Sequence, residues 1–193
     1  MVGASPQRLG YPASRQHMSA MPESTLMARS LEGLYPTPPV GAMPEVPAGV
    51  RIMSLGADPD VLTELELECH PAGHVDRDRA LSLIAGGSFR RLLSGELIGP
   101  VLETASGQAE DDDSGRVLGM GIVVWWERAD MWQGPWVADV CVKPAHQGRG
   151  IGTALLKRAL VACAAMGAGR IGLAVTDGNP ARALYERLGF VPF

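Results

Sequence analysis

At 193 residues the chain has room for one ordinary domain with a sizeable core, and a hydrophobic content of 46% places it in the globular class. A net charge of −4 without any basic block argues against a nucleic-acid partner, and no stretch approaches the roughly 18 apolar residues of a membrane span. Cys69, Cys141 and Cys163 are odd in number and widely spaced, which reads as reduced thiols; with no export signal at the N-terminus, the expected location is the cytoplasm.

Residues 1–48 carry more than half of the fifteen prolines, with little periodicity, and read as a Pro-rich disordered leader. Within it a short helix over 22–34 is open, started at Pro22 and stopped at Gly33, and Pro36, Pro38 and Pro39 form a weak polyproline-ligand pattern. The folded domain, 49–193, begins with an alternating strand at 50–55. Asp58 then offers a cap and Pro59 a first position for a helix carrying Leu62, Leu65 and Leu67. A second helix spans 77–85, closed by Gly86 and Gly87. Strands at 97–104 and 117–126 flank an acidic hairpin turn at 110–115. Cys69, His70 and His74 sit at ligand-like spacing, but no second Cys/His pair completes a finger and no metal is expected. Trp125, Trp126, Trp132 and Trp136 crowd the turn before the next strand, where they either frame an aromatic acceptor pocket or bury the hairpin.

The stretch 137–190 carries most of the information. A β-branched strand at 136–142 ends at Lys143-Pro144, and Gln147-Gly148-Arg149-Gly150-Ile151-Gly152 leads into helix formers over 153–166. Such a glycine loop exposes the first amides of a helix, whose dipole adds about half a positive charge: a pyrophosphate site, with Arg149 as an added charged contact. It is not a P-loop, because Gly152 is followed by Thr153-Ala154 without a lysine. It is not a Rossmann turn, because the third glycine is missing. A strand at 171–176 and a helix over 179–189 follow.

The pattern V-x-P-x-x-Q-G-x-G-I-G-x-x-L-L over 142–156 resembles the acyl-CoA-binding signature of the GNAT superfamily of N-acetyltransferases. A second pattern, N-x-x-A-x-x-L-Y-x-x-x-G-F over 179–190, is similar to that family's other signature. The resemblance implies an α/β (α+β) fold with a mixed, mostly antiparallel sheet flanked by helices. It implies transfer of an acetyl group from acetyl-CoA directly to a primary amine of a small molecule or peptide, without a metal. In it the strands at 136–142 and 171–176 separate, the backbone of Val140, Cys141 and Val142 pairs with the pantetheine arm, and the pyrophosphate lies on Gln147, Gly148, Arg149, Gly150, Ile151, Gly152 and Thr153. Asn179 would bond the cofactor from the other side, and His70 or His74 could touch the substrate.

Tyr185 falls where the family's general acid commonly sits, and a phenol is protonated at neutral pH. Asp139 is the candidate base, acting directly or through water, with a structural role equally open; Glu127 and Asp130 are runners-up. Cys141 has no histidine at a recognised partner spacing and reads as a small strand residue rather than a nucleophile. Only Val191-Pro192-Phe193 follow Phe190, so the family's last strand is missing, which leaves an exposed edge or a gap that a partner, such as the second copy in a homodimer, could fill. The rival reading is a non-catalytic acyl-CoA-binding or regulatory module; a nucleotide-binding enzyme is a distant third.

Overall fold

The computed structural model describes residues 23–33, 45–128 and 131–193. Among them, β1 (Ser24–Ser30), β2 (Val50–Met53), β3 (Gly107–Asp111), β4 (Val117–Arg128), β5 (Trp132–Val142), β6 (Arg170–Thr176) and β7 (Val191–Pro192) form one sheet, ordered β2-β3-β4-β5-β6-β1-β7. Every pairing is antiparallel except β5 with β6. The helices are α1 (Pro59–Cys69), α2 (Arg77–Ala85), α3 (Ser88–Leu93), α4 (Ile151–Ala165) and α5 (Arg182–Arg187). None among the described residues is long and apolar enough to cross a membrane.

Two cores cover the two faces of the sheet, as strands with apolar residues on both sides require. On one face α4 and α5 supply Leu156, Leu160, Cys163, Tyr185 and Leu188 against Ile171, Leu173 and Val175. On the other, α1 and α3 bring Leu62, Leu65, Phe89 and Leu92 onto Met120, Ile122, Val124 and the buried Trp132 and Trp136. The start of α1 is local chemistry: the Asp58 carboxylate accepts from the Asp60 amide at 2.8 Å, with Pro59 in the first turn. Its end is tertiary: the Arg77 guanidinium donates to the carbonyls of Leu67 and His70 at 3.0 and 2.6 Å.

Four expectations change. Residues 24–30 do not belong to a disordered leader and are not helical; they are β1, paired with β6 from Ser24↔Thr176 to Ser30↔Arg170. Leu26 and Met27, adjacent in sequence, enter opposite cores, which only the period of a strand allows. The sheet thus continues past β6 with a strand from the N-terminal region, so β1 occupies the place next to β6 that the expected missing strand left open, and β7 pairs with its far side at Met27 and Ala28. The strand expected at 97–104 shrinks to a bridge between Val101 and Val124, and the strand pairing β4 is β3 instead. The hairpin turn expected at 110–115 is present between β3 and β4 but starts at Asp112, because Glu110 and Asp111 are strand residues; Glu110 binds Arg51 of β2 at 2.8 Å.

Candidate functional site

β5 and β6 pair at only two positions, Trp136↔Gly172 and Val137↔Leu173. Immediately after them β5 carries an extra residue: Val123 faces Val137 but Ile122 faces Asp139, leaving Ala138 as a bulge. A bulge bends its strand and raises its twist, so β5 leaves β6 as it runs toward Val142. Gly172 fixes the hinge end, since a Cβ there would lie 2.7 Å from the ring of Trp136. The gap opens into a cavity of about 500 Å³ between β5, β6, α4 and α5.

One end of the cavity is backbone. Gly148 and Gly150 hold φ of 74° and 91°, the left-handed region that favours glycine, and Gly150 starts α4 with no side chain capping its amides. Gln147 Nε2 donates to the Val142 carbonyl at 3.0 Å and ties the loop to the strand end. Gly152 serves packing: a Cβ there would meet Leu184 Cδ2 of α5 at 3.3 Å. Val140, Cys141, Val142, Gln147, Gly148, Gly150, Ile151, Gly152 and Thr153 all line the cavity. Arg149 does not; its guanidinium bonds His146 Nδ1 at 3.1 Å and the Ala48 carbonyl at 3.4 Å.

The other end is built from ionisable side chains. Tyr185, on α5, lines the cavity at 6% exposure, and burial first, then the negative charges of Asp139 and Asp76, push its phenol well above the ordinary tyrosine value. It is therefore a neutral O–H donor. Asp139 is 7% exposed beside it on the wall of the gap, with Arg79 Nη2 3.6 Å from Oδ1. Asn179 uses both ends of its amide inside the protein: Nδ2 donates to Asp76 Oδ2 at 2.6 Å, and Oδ1 accepts from the Ala181 amide at 2.8 Å. Thr176 donates to the other Asp76 oxygen.

His70 and His74 both reach the cavity wall. His70 Nδ1 lies 2.8 Å from the Glu66 carbonyl, which can only accept, so that nitrogen carries the proton. Burial, then His70, lowers the His74 pKa, so its imidazole is neutral near pH 7. Their ligand atoms and those of Asp76 lie within 4.8 Å of one another, yet His74 Nδ1 accepts from the Asp76 amide and both Asp76 oxygens are bonded. Cys141 is buried and its thiol is raised well above the usual range by Cys69 and by burial, which suits a strand residue and not a nucleophile. Glu127 is exposed, bonded by Trp125 Nε1 at 3.0 Å and away from the cavity lining; Asp130 lies outside the described residues. Of the tryptophans, Trp132 and Trp136 are core, and only Trp136 touches the cavity.

Glu66, Asp76, Arg79 and Thr176 were not singled out by sequence reasoning. Glu66 had a signal: it stands on the stripe formed by Leu62, Leu65 and Cys69, where a carboxylate is out of place. The other three come together only through the fold.

A sheet split between two parallel strands, with an uncapped helix N-terminus at one end and a neutral phenol facing a carboxylate at the other, suits an extended ligand with an anionic tail and a reactive head. The chain belongs to the acetyltransferase (GNAT) family, whose model matches residues 62–190. It is 41% identical over 83 residues to mycothiol acetyltransferase of Beutenbergia cavernae, a stretch covering 42% of this chain and 27% of that protein. Among solved structures, a GCN5-related N-acetyltransferase from Sphaerobacter thermophilus superposes with a TM-score of 0.58 and 24% identity, over 88% of this chain and 48% of that one. A tandem GNAT protein from the clavulanic acid biosynthesis pathway gives 0.56 and 20%, over 91% and 51%. The chain thus spans about half the length of these two structures.

Proposed function

We propose that this chain transfers an acetyl group from acetyl-CoA to a primary amine, with a small-molecule acceptor favoured over a peptide. The observation that carries the reading is the loss of β5–β6 pairing next to an uncapped α4. From Ala138 onward the β6-facing edge of β5 is free to pair with an amide-bearing arm, and the first amides of α4 can receive a pyrophosphate. The lack of a Cβ at Gly148 and Gly150 lets phosphate oxygens approach. Arg149 contributes little to this binding, and Asn179 acts by holding Asp76 and the start of α5 in place.

At the other end, the Asp139 carboxylate accepts a proton from the acceptor ammonium, freeing the nitrogen lone pair to attack the thioester carbonyl. A β5 amide polarises that carbonyl; as the tetrahedral intermediate collapses the C–S bond breaks, the Tyr185 hydroxyl gives its proton to the departing thiolate, and the phenolate so formed takes the second proton that the nitrogen sheds as the amide forms. The family match and the mycothiol acetyltransferase stretch support acetyl transfer, and the latter favours a small acceptor. Three free cysteines, all buried, are in keeping with a reducing cytoplasm.

The test is release of free CoA from acetyl-CoA across a panel of primary amines and short peptides. Acceptor-dependent release establishes the enzyme and ranks acceptors. Tight acetyl-CoA binding with no release on any amine would replace this reading with that of a non-catalytic acyl-CoA-binding module.

A further inference from the structure

Glu66 has no exposed surface, and its carboxyl group faces β5, where one of its oxygens, one of Asp139 and the Cys141 sulfur lie within 4.8 Å of one another. The surroundings do not neutralise two carboxylates. Among the described residues the one guanidinium against the pair is that of Arg79, whose Nη2 stands 3.9 Å from Glu66 Oε1 and 3.6 Å from Asp139 Oδ1, beyond hydrogen-bond length from both, while its Nε lies 3.8 Å from Asp76 Oδ1. His70 Nδ1 lies 3.3 Å from Oε1 but its proton points to the Glu66 carbonyl. Cys69 and Cys141 add only thiols, and Tyr185, Asp76 and His74 add no positive charge. As carboxylates, both Glu66 oxygens and Asp139 Oδ2 would be buried acceptors without a donor among the described residues.

We propose that Glu66 and Asp139 share one proton, with Glu66 the neutral partner that donates to Asp139 and positions its single charge at the edge of the gap. One proton joins one Glu66 oxygen to Asp139 Oδ2, two of those three atoms, and removes the repulsion between two buried anions. Burial first, then the charge and hydrogen bond of Asp139, push Glu66 up to about 10 against the opposing pull of Arg79. The assignment of Asp139 as acceptor of the amine proton rests on the acetyl-transfer reading; the shared proton does not. In that reaction the ammonium N–H bond breaks, an O–H bond forms on Asp139 and the electron pair stays on nitrogen. The pair then carries two protons and no charge, and returns one to solvent after product leaves.

Infrared difference spectroscopy on the full chain, wild type minus Glu66→Gln, tests this directly. The expected result at pH 7 is a protonated-carboxyl carbonyl band that shifts in heavy water and fades only as the pH approaches about 10. In Asp139→Asn, which removes the neighbouring anion, the band should fade at lower pH. No band at pH 7 in a folded protein overturns the proposal, as does stoichiometric Zn²⁺ uptake lost in Glu66→Gln, which would make the cluster a metal centre.

Kinetics sharpen the positioning role. Glu66→Leu, which has no donor, should lower kcat at least about tenfold with the KM for acetyl-CoA unchanged, and Glu66→Gln, which keeps a neutral donor, should recover most of that loss. Equal losses in the two variants would overturn the positioning role. A band without turnover on any amine leaves the pair standing and removes the acetyl-transfer reading; turnover without a band does the reverse.

Discussion

The two ends of the gap are made differently. The glycine end is a run of consecutive residues whose amides are presented by backbone geometry alone: two left-handed glycines and an uncapped helix start. The ionisable end gathers Arg79 from α2, Asp139 from β5 and Tyr185 from α5, with Glu66 of α1 against Asp139 and off the cavity lining, and only packing brings them together. A backbone site tolerates side-chain change but not an added Cβ or charge. A side-chain site keeps its shape under isosteric change and loses its chemistry.

Four experiments separate the two ends. The largest effect is expected for Gly152→Asp, which puts a carboxylate beside the pyrophosphate position. At about 5 Å and an effective dielectric near 20 the repulsion is about 3 kcal/mol, more than a hundredfold in CoA affinity by calorimetry. Gly152 is not in the left-handed region and its new Cβ meets the far end of Leu184, so the variant should fold. Gly169→Asp, with nothing within 4 Å of its new Cβ, carries the same charge change and should bind normally. Gly119 of β4 would not serve as such a control, because a Cβ there would lie 2.7 Å from the Cys141 carbonyl oxygen of β5.

Tyr185→Phe keeps the ring in the α4–α5 core and removes one hydroxyl. With chemistry rate-limiting, kcat should fall about a hundredfold while the KM for acetyl-CoA stays within about twofold. A fall in affinity instead of kcat would move Tyr185 to the binding end.

The pH dependence of stability reports on the carboxyl pair without substrate. Glu66 is raised in the folded protein from 4.5 to about 10, so the folded state holds a proton that the unfolded chain releases. Its contribution is complete below pH 4.5 and declines as the pH rises toward 10, by up to about 1.4 kcal/mol per pH unit. In urea titrations the wild type should lose stability relative to Glu66→Gln across that window; parallel curves would mean that Glu66 is ionised when folded. The smallest effect is expected for Arg149→Ala. Its guanidinium is already engaged with His146 and Ala48, so CoA affinity should change less than about threefold.

Much of this was legible from residues in a row. The Asp58-Pro59 start of α1, the span of α2, and the strand–glycine-loop–helix order of β5 and α4 depend on propensities and caps within one or two turns, and appear close to where the pattern puts them. Tyr185 was reachable for the same reason, as one position in a contiguous pattern on α5. β1 was not: Ser24–Ser30 has only three consecutive apolar residues in a Pro-rich stretch, and its strand form comes from β6 and from cores on both faces.

The sequence by itself determined the glycine-loop end, because amide direction and glycine dihedrals are local properties of a short run of chain. Tertiary structure alone decided the opening of the gap, through one extra residue in the β4–β5 register, and the meeting of Glu66 with Asp139, 73 positions apart by their numbers. Charge and burial at such a meeting depend on what packs around it, and that information is spread over four elements that no local window contains.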